Sequence, residues 1–194
     1  MAEKTLNIFL SASVPVIGRA EGKYLKTADV IAIRDAVIAL VSVALPKYHL
    51  IWGGHPSITP LITNVLRHSN KDVNNSVTEY QSMNYVKVFP DENKYVVHKV
   101  YTENLGDKEK SLALMRRQMI DDNEYAAAFF IGGMDGVENE YERFVKSHPK
   151  AKVFPVASTG AAALMLYEKN PAAYNPRLKT DMAYASLFKD LLGV

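Results

Sequence analysis

The chain has 194 residues, enough for one full hydrophobic core, and its 48% hydrophobic and 23% charged residues are ordinary for a water-exposed folded protein. A formal net charge of +2, with no run of Lys or Arg, excludes a chain that holds nucleic acid or an anionic membrane through bulk charge. The absence of Cys excludes disulfides, thiolate metal sites and a cysteine nucleophile, and agrees with a cytoplasmic setting.

Met1–Lys4 leads into Leu6–Leu10, an apolar strand far shorter than a signal core or a membrane span. Ser11-Ala12-Ser13-Val14-Pro15 follows as a loop, and a polar stretch with Gly18, Arg19 and Gly22 runs to Lys26. Thr27 is placed to cap a helix with Asp29 in its first turn. Val30, Ile33, Val37, Leu40, Val41 and Ala44 give that helix its apolar stripe, and Pro46 stops it. His49–Trp52 is a second strand, ending in the glycine turn Gly53-Gly54-His55-Pro56. Thr59-Pro60 reads as N-cap and first helical residue of a helix with Leu61, Ile62, Val65 and Leu66 on one face. Asn70–Asn75 is a polar loop, and Val77–Met83 fits either element type. Tyr85–Phe89 reads as a strand ended by Pro90, and Tyr95–Tyr101 as an edge strand.

Ser111–Ile120 is helical in pattern. Ala126–Ile131 is a continuous apolar run, as expected of a strand covered on both faces. It ends in a second glycine turn, Gly132-Gly133-Met134-Asp135-Gly136, which opens the helix Val137–Ser147. Lys152–Val156 is the last strand, followed by Ser158-Thr159-Gly160 and the helix Ala161–Glu168. Thr180 is placed to cap a final helix striped with Tyr184, Leu187, Phe188, Leu191 and Leu192. Strands alternating with helices predict a Rossmann-like three-layer α/β sandwich with a mostly parallel sheet, formed by residues 1–194 as one domain. Ligands of such a sheet collect beyond the carboxyl ends of its strands.

An apolar strand, then glycines, then a helix start lets backbone N–H groups face a phosphate or ribose. The pattern occurs at Gly53, Gly54 and His55 and again at Gly132, Gly133, Met134 and Gly136. Ser11 and Ser13 after the first strand, and Thr159 and Gly160 before a late helix, have the same small-residue character; each set can also close or cap its turn without a ligand. Glu140 lies beside the apolar stripe of its helix, where a carboxylate either reaches a ribose hydroxyl or only solvates the helix. Arg116 falls inside the apolar face of Leu112, Met115, Met119 and Ile120, whereas Arg117 falls outside it. A guanidinium there either snorkels at the helix edge or meets a counter-charge such as Glu140 or a phosphate. No His pair has metal-ligand spacing, so neither a metal nor a resident cofactor is expected. A nucleophile elbow, a Walker A lysine and the dinucleotide fingerprint G-x-G-x-x-G are all missing.

Ser-Ala-Ser-Val-Pro after the first strand, Trp-Gly-Gly-His-Pro-Ser-Ile-Thr-Pro-Leu after the second, and Ile-Gly-Gly-Met-Asp-Gly-Val-Glu-Asn-Glu later resemble the SLOG superfamily over Leu6–Ala163. That superfamily joins Rossmann-like domains related to Lonely Guy phosphoribohydrolases, DNA-processing Smf proteins and TRPM channel sensor domains. The nearest resemblance is to the SLOG sensor domains of bacterial conflict systems. The resemblance implies a nucleotide-derived ligand across the two glycine turns. It also implies, for an enzyme of Lonely Guy type, Glu140 acting at the ribose with Arg116 from an earlier helix. Ile131 stands where those enzymes carry Pro, one residue is added between the second and third glycines, and Val137 stands in place of Thr. These departures favour a sensor of a nucleotide or a cyclic ADP-ribose-like signal. A nucleoside 5′-monophosphate phosphoribohydrolase and a structural oligomer subunit with a vestigial pocket are the alternatives. The expected partners are a nucleotide-type small molecule, further copies of the chain and a separate effector protein, with no nucleic acid and no membrane.

Overall fold

The computed structural model describes residues 5–45, 47–69 and 75–194. In chain order the elements are β1 (Leu6–Ser13), α1 (Val30–Ala44), β2 (Tyr48–Gly53), α2 (Thr59–His68), β3 (Val77–Ser82), β4 (His98–Thr102) and α3 (Lys108–Arg116). There follow β5 (Ala127–Gly132), α4 (Asp135–Ser147), β6 (Lys152–Val156), α5 (Ala161–Lys169), α6 (Arg177–Thr180) and α7 (Tyr184–Leu192). The six strands form one sheet in the order β4-β3-β2-β1-β5-β6, with every pair parallel. The fold is the α/β Rossmann-like sandwich that the strand–helix alternation predicts. The chain builds outward from β1 to β4, then returns to β1's free side with β5. Connections therefore leave β1 and β5 in opposite directions, and a crevice opens beyond their carboxyl ends.

Both sheet faces are covered, because parallel strands need crossover helices. Ile8, Leu10, Ile33, Val37, Trp52, Phe129 and Phe188 fill one side, under α1, α2 and α7. Phe9, Ile51, Met119, Phe130, Phe144 and Leu166 fill the other, under α3, α4 and α5. Phe129 and Phe130 alternate across β5, and Phe9 stacks on Phe144 with ring centres 5.6 Å apart. Among the described residues, no helix is long and apolar enough to cross a membrane.

Several local expectations are corrected. β1 runs on through Ser11 and Ser13, which pair with Phe130 and Gly132 of β5 and so belong to the strand, not to a loop. Asp29, not Thr27, caps α1, accepting from Ala32 N–H at 2.9 Å; Thr27 Oγ1 accepts from Ala161 N–H of the distant α5 instead. Thr59 lies inside α2 and turns its hydroxyl to a buried carboxylate, leaving Ile58 at the cap. Val77–Ser82 is a strand. Tyr85–Phe89 is not: Met83–Val88 turns as a 3-10 helix with Val86 and Val88 exposed, since no neighbouring strand is there to cover them. The edge strand begins only at His98. α3 starts at Lys108, three residues before the predicted start at Ser111, and passes into a wide π turn over Arg117–Asp121. Helix α4 begins at Asp135, two residues before the apolar stripe. Thr180 ends the short α6 and does not start α7, which opens after Ala183. Pro46, the tetrapeptide Met1–Lys4 and all of the polar loop but Asn75 lie outside the described residues.

Candidate functional site

Beyond the carboxyl ends of β1, β2, β3 and β5 the structure opens into a cleft of about 340 Å³. Ser11 and Ser13 stand on the β1 side, Gly53, Gly54 and His55 on the β2 side, and Gln81 and Ser82 at the end of β3. Met134, Asp135, Gly136, Val137, Asn139 and Glu140 of the α4 entry form one wall. Leu112, Met115 and Arg116 of α3 form another, and Tyr85 and Val88–Pro90 a third.

Glu140 is the polar centre of this cleft. Its Oε2 accepts from Ser11 Oγ at 2.6 Å, and its Oε1 accepts from Arg116 Nε at 3.3 Å. Both ends of the ion pair are largely withdrawn from water, with side chains 16% and 14% exposed for Arg116 and Glu140. The helical spacing that turns Arg116 inward turns Arg117 outward, where it pairs with Asp122. Gly136 lies against the arginine: a Cβ at Gly136 would stand in ordinary contact, 3.4 Å, with an Arg116 Nη. The guanidinium thus lies across the first turn of α4. Met134 offers that helix no side-chain cap, so its leading amides and positive dipole end face the cleft.

The glycine turns serve the scaffold more than the expectation of bare amides allows. Gly133 N–H donates to Ser13 O at 2.7 Å, Gly132 N–H to Thr159 Oγ1 at 2.8 Å, and Gly54 N–H to Tyr80 O at 2.8 Å. None of these three donors is left over for a phosphate. Gly132 and Gly133 adopt φ of +57° and +88°, and a Cβ at Gly133 would fall 2.2 Å from Val137. They bend the chain so that α4 starts at the cleft, but they do not line it.

Thr159 and Gly160 also stand behind the site. Thr159 is fully buried and donates to Val156 O at 2.6 Å while holding Gly132. Gly160 has φ +70° and lies so close to Thr27 O that a Cβ would approach it to 1.8 Å. His55 borders the cleft, with its Nδ1 accepting from Ser57 N–H at 3.2 Å. Burial, and then the charge of Arg19, hold its pKa below the usual histidine range. The imidazole is therefore neutral near pH 7.

Comparison with known proteins bears on what this cleft is for. A family model described as the SLOG cluster3 family matches residues 23–192. The chain belongs to that family. The match runs from the middle of the β1–α1 connection to the last turn of α7, and so includes both glycine turns, Arg116 and Glu140. No curated protein matches the chain. Among solved structures, the crystal structure of TM1055, a structural-genomics target, is similar over 96% of this chain and 99% of its own, with a TM-score of 0.60 and 14% identity. At that identity the likeness shows the fold alone. Together these findings describe a nucleotide-related Rossmann-like domain of the SLOG type.

In this SLOG cluster3 chain, the structure adds residues at the cleft and behind its walls that the sequence pattern did not single out. Arg19 reaches its rim and pairs with Asp135 at 3.7 Å. Tyr24 is buried and donates to Glu138 Oε2 at 2.7 Å; burial and that carboxylate push its hydroxyl pKa up, so it stays a donor. Beneath Gly54, Thr59 Oγ1 donates to Glu79 Oε1 at 2.6 Å, and Gln81 stands two positions along the same strand face. Burial raises the Glu79 pKa. A strand segment carrying both Glu and Gln among apolar neighbours was the available signal for that pair.

Proposed function

We propose that the cleft binds a nucleotide or a nucleotide-derived molecule, a cyclic ADP-ribose-like signal among the candidates, and that the protein is a sensor of it. One observation carries this reading: a carboxylate held by Ser11 and Arg116 stands beside an uncapped helix N-terminus at the sheet's topological switch point. Glu140 supplies an acceptor for ribose hydroxyls. The α4 amides, Arg116 and Arg19 supply the positive side for a phosphate, and Leu112, Met115 and Val88–Pro90 supply apolar surface for a ring. Val137, where related enzymes carry a threonine, is 4% exposed and packs against Gly133, so it brings no hydroxyl to the site. A sensor passes its signal on, so the reading includes association with further copies or with a separate effector protein in the cytoplasm.

The Ser11–Glu140–Arg116 arrangement also favours a second reading, cleavage of the N-glycosidic bond of a nucleoside 5′-monophosphate. Glu140 would stabilise the cationic C1′ as the base departs and water adds, with Arg116 holding the phosphate or orienting Glu140. Thermal denaturation against nucleoside monophosphates, ADP-ribose and cyclic ADP-ribose tests binding. A true ligand at about 100 times its Kd adds about 2.7 kcal/mol. Chromatography of the same mixtures for free base separates the readings, and the sensor reading expects none over hours. A panel without any stabilisation removes both and leaves a structural subunit.

A further inference from the structure

The floor of the cleft at β3 holds a buried polar pair with no role in the chemistry at Glu140. Glu79 is fully buried and Gln81 is 3% exposed, and both project from one face of β3. Glu79 Oε2 and Gln81 Nε2 are sealed from solvent without a well-formed hydrogen bond. Their complement is each other: an acceptor and a donor two positions apart on one strand face, packed together under Gly54. The other Glu79 oxygen is already taken by the Thr59 hydroxyl, which is itself approached by Trp52 Nε1–H at 3.4 Å and His55 N–H at 3.3 Å. Two N–H groups aimed at Thr59 Oγ1 leave its hydrogen for Glu79, so the polarity of the whole chain is set from α2 outward. Gly54 locks the pair from above, because a Cβ there would lie 1.9 Å from Gln81 Nε2 and 2.7 Å from Glu79 Oε1.

Resting on the nucleotide reading of the cleft, we infer that Gln81 selects the heterocycle: with Nε2 turned to Glu79, Gln81 offers Oε1 to the cleft and favours a ring bearing an amino group over one bearing a keto group. Glu79 and Thr59 are positioning residues that hold the carboxamide in this sense. The spacing suits one ligand. β3 lies two strands from β1, about 10 Å away at about 4.8 Å per strand, so a ribose at Ser11 and Glu140 brings its ring over β3. A keto oxygen facing Oε1 sets two acceptors together and leaves a buried group unmet, which discriminates by about tenfold or more.

The test is calorimetric titration of the full chain with two matched pairs, adenosine against inosine 5′-monophosphate and cytidine against uridine 5′-monophosphate. The expected result is binding at least about tenfold tighter for the amino member of at least one pair. Gln81→Leu should weaken the amino member alone, and Glu79→Gln, which can donate or accept and so frees the carboxamide to flip, should also level the pair. Circular dichroism and melting of each variant report its fold separately, and the wild-type comparison requires no variant. Equal affinity within both pairs, or full preference retained by a folded Gln81→Leu protein, overturns the inference while nucleotide binding stands. If none of the four binds, the inference falls; whether the nucleotide reading falls with it is decided by the ADP-ribose and cyclic ADP-ribose arms of the denaturation panel.

Discussion

Removing Arg116 should cost stability in the absence of any ligand, and most of that cost should pass through Glu140. The two charges meet at 3.3 Å, which at an effective dielectric of about 20 is an attraction of about 5 kcal/mol before desolvation is counted. An exposed pair nets about 0–1 kcal/mol, and breaking a fully buried one costs about 3–5 kcal/mol. This pair is mostly withdrawn from water but lines an open cleft, and it is joined through one N–H, not a two-pronged fork. Arg116→Ala should therefore destabilise by about 1–3 kcal/mol, a fall in Tm of about 2–12 °C for a chain of this length. Arg117→Ala, which loses only the exposed contact to Asp122, should stay within about 0.5 kcal/mol. Urea denaturation of Arg116→Ala, Glu140→Ala and the double variant measures the coupling, which should be about 1–2 kcal/mol without ligand. Additivity within about 0.3 kcal/mol, or greater damage from Arg117→Ala, would refute the ion pair as the anchor of Glu140.

Three further outcomes are expected. Gly160→Ala places a Cβ 1.8 Å from a backbone oxygen at φ +70°, so urea melts should show a loss of at least about 2 kcal/mol, since neither the carbonyl nor the dihedral yields cheaply. Thr159→Val strips the buried Gly132 N–H of its acceptor and Val156 O of a donor, and the same melts should lose about 1–3 kcal/mol. Because the folded pKa of His55 lies below its unfolded value, the folded state binds its proton less readily. The stability tied to His55 is therefore full above about pH 6.5 and declines as pH falls below it. Melting curves from pH 8 to pH 5 should converge for the wild type and His55→Asn at the acid end.

The alternation of apolar runs and helical stripes was enough to read the parallel sheet, because a strand covered on both faces, such as Ala127–Gly132, has a composition that few other elements share. The turn of Arg116 into the cleft was legible from a 100° step along α3, since the apolar face around it is strong. The glycine amides misled for a reason of tertiary structure: Ser13, Thr159 and Tyr80 come from distant parts of the chain and take those donors first. The same holds for Thr27 and Thr59, whose hydroxyls look like helix caps locally but bond to α5 and to Glu79. Glu79 and Gln81 escaped notice because polar residues in a short strand usually mark a solvated face, whereas here Thr59 and the Gly54 turn close over them.

The connection between β1 and α1 is tied down at both ends, by Val14 N–H to Ser57 Oγ at 3.1 Å and by Asp29 N–H to Thr159 O at 3.2 Å. Its middle crosses the α4 entry and is held there by Tyr24 on Glu138, by Lys23 on Glu138 at 3.5 Å and by Arg19 on Asp135, the two ion pairs being partly exposed. Ala20 and Glu21 sit at φ of +48° and +50°, a conformation costly for side-chain-bearing residues that these contacts help maintain. Added salt screens the two ion pairs far more than the buried tyrosine bond or the anchors. The middle of the connection should thus loosen with ionic strength while both of its ends stay fixed.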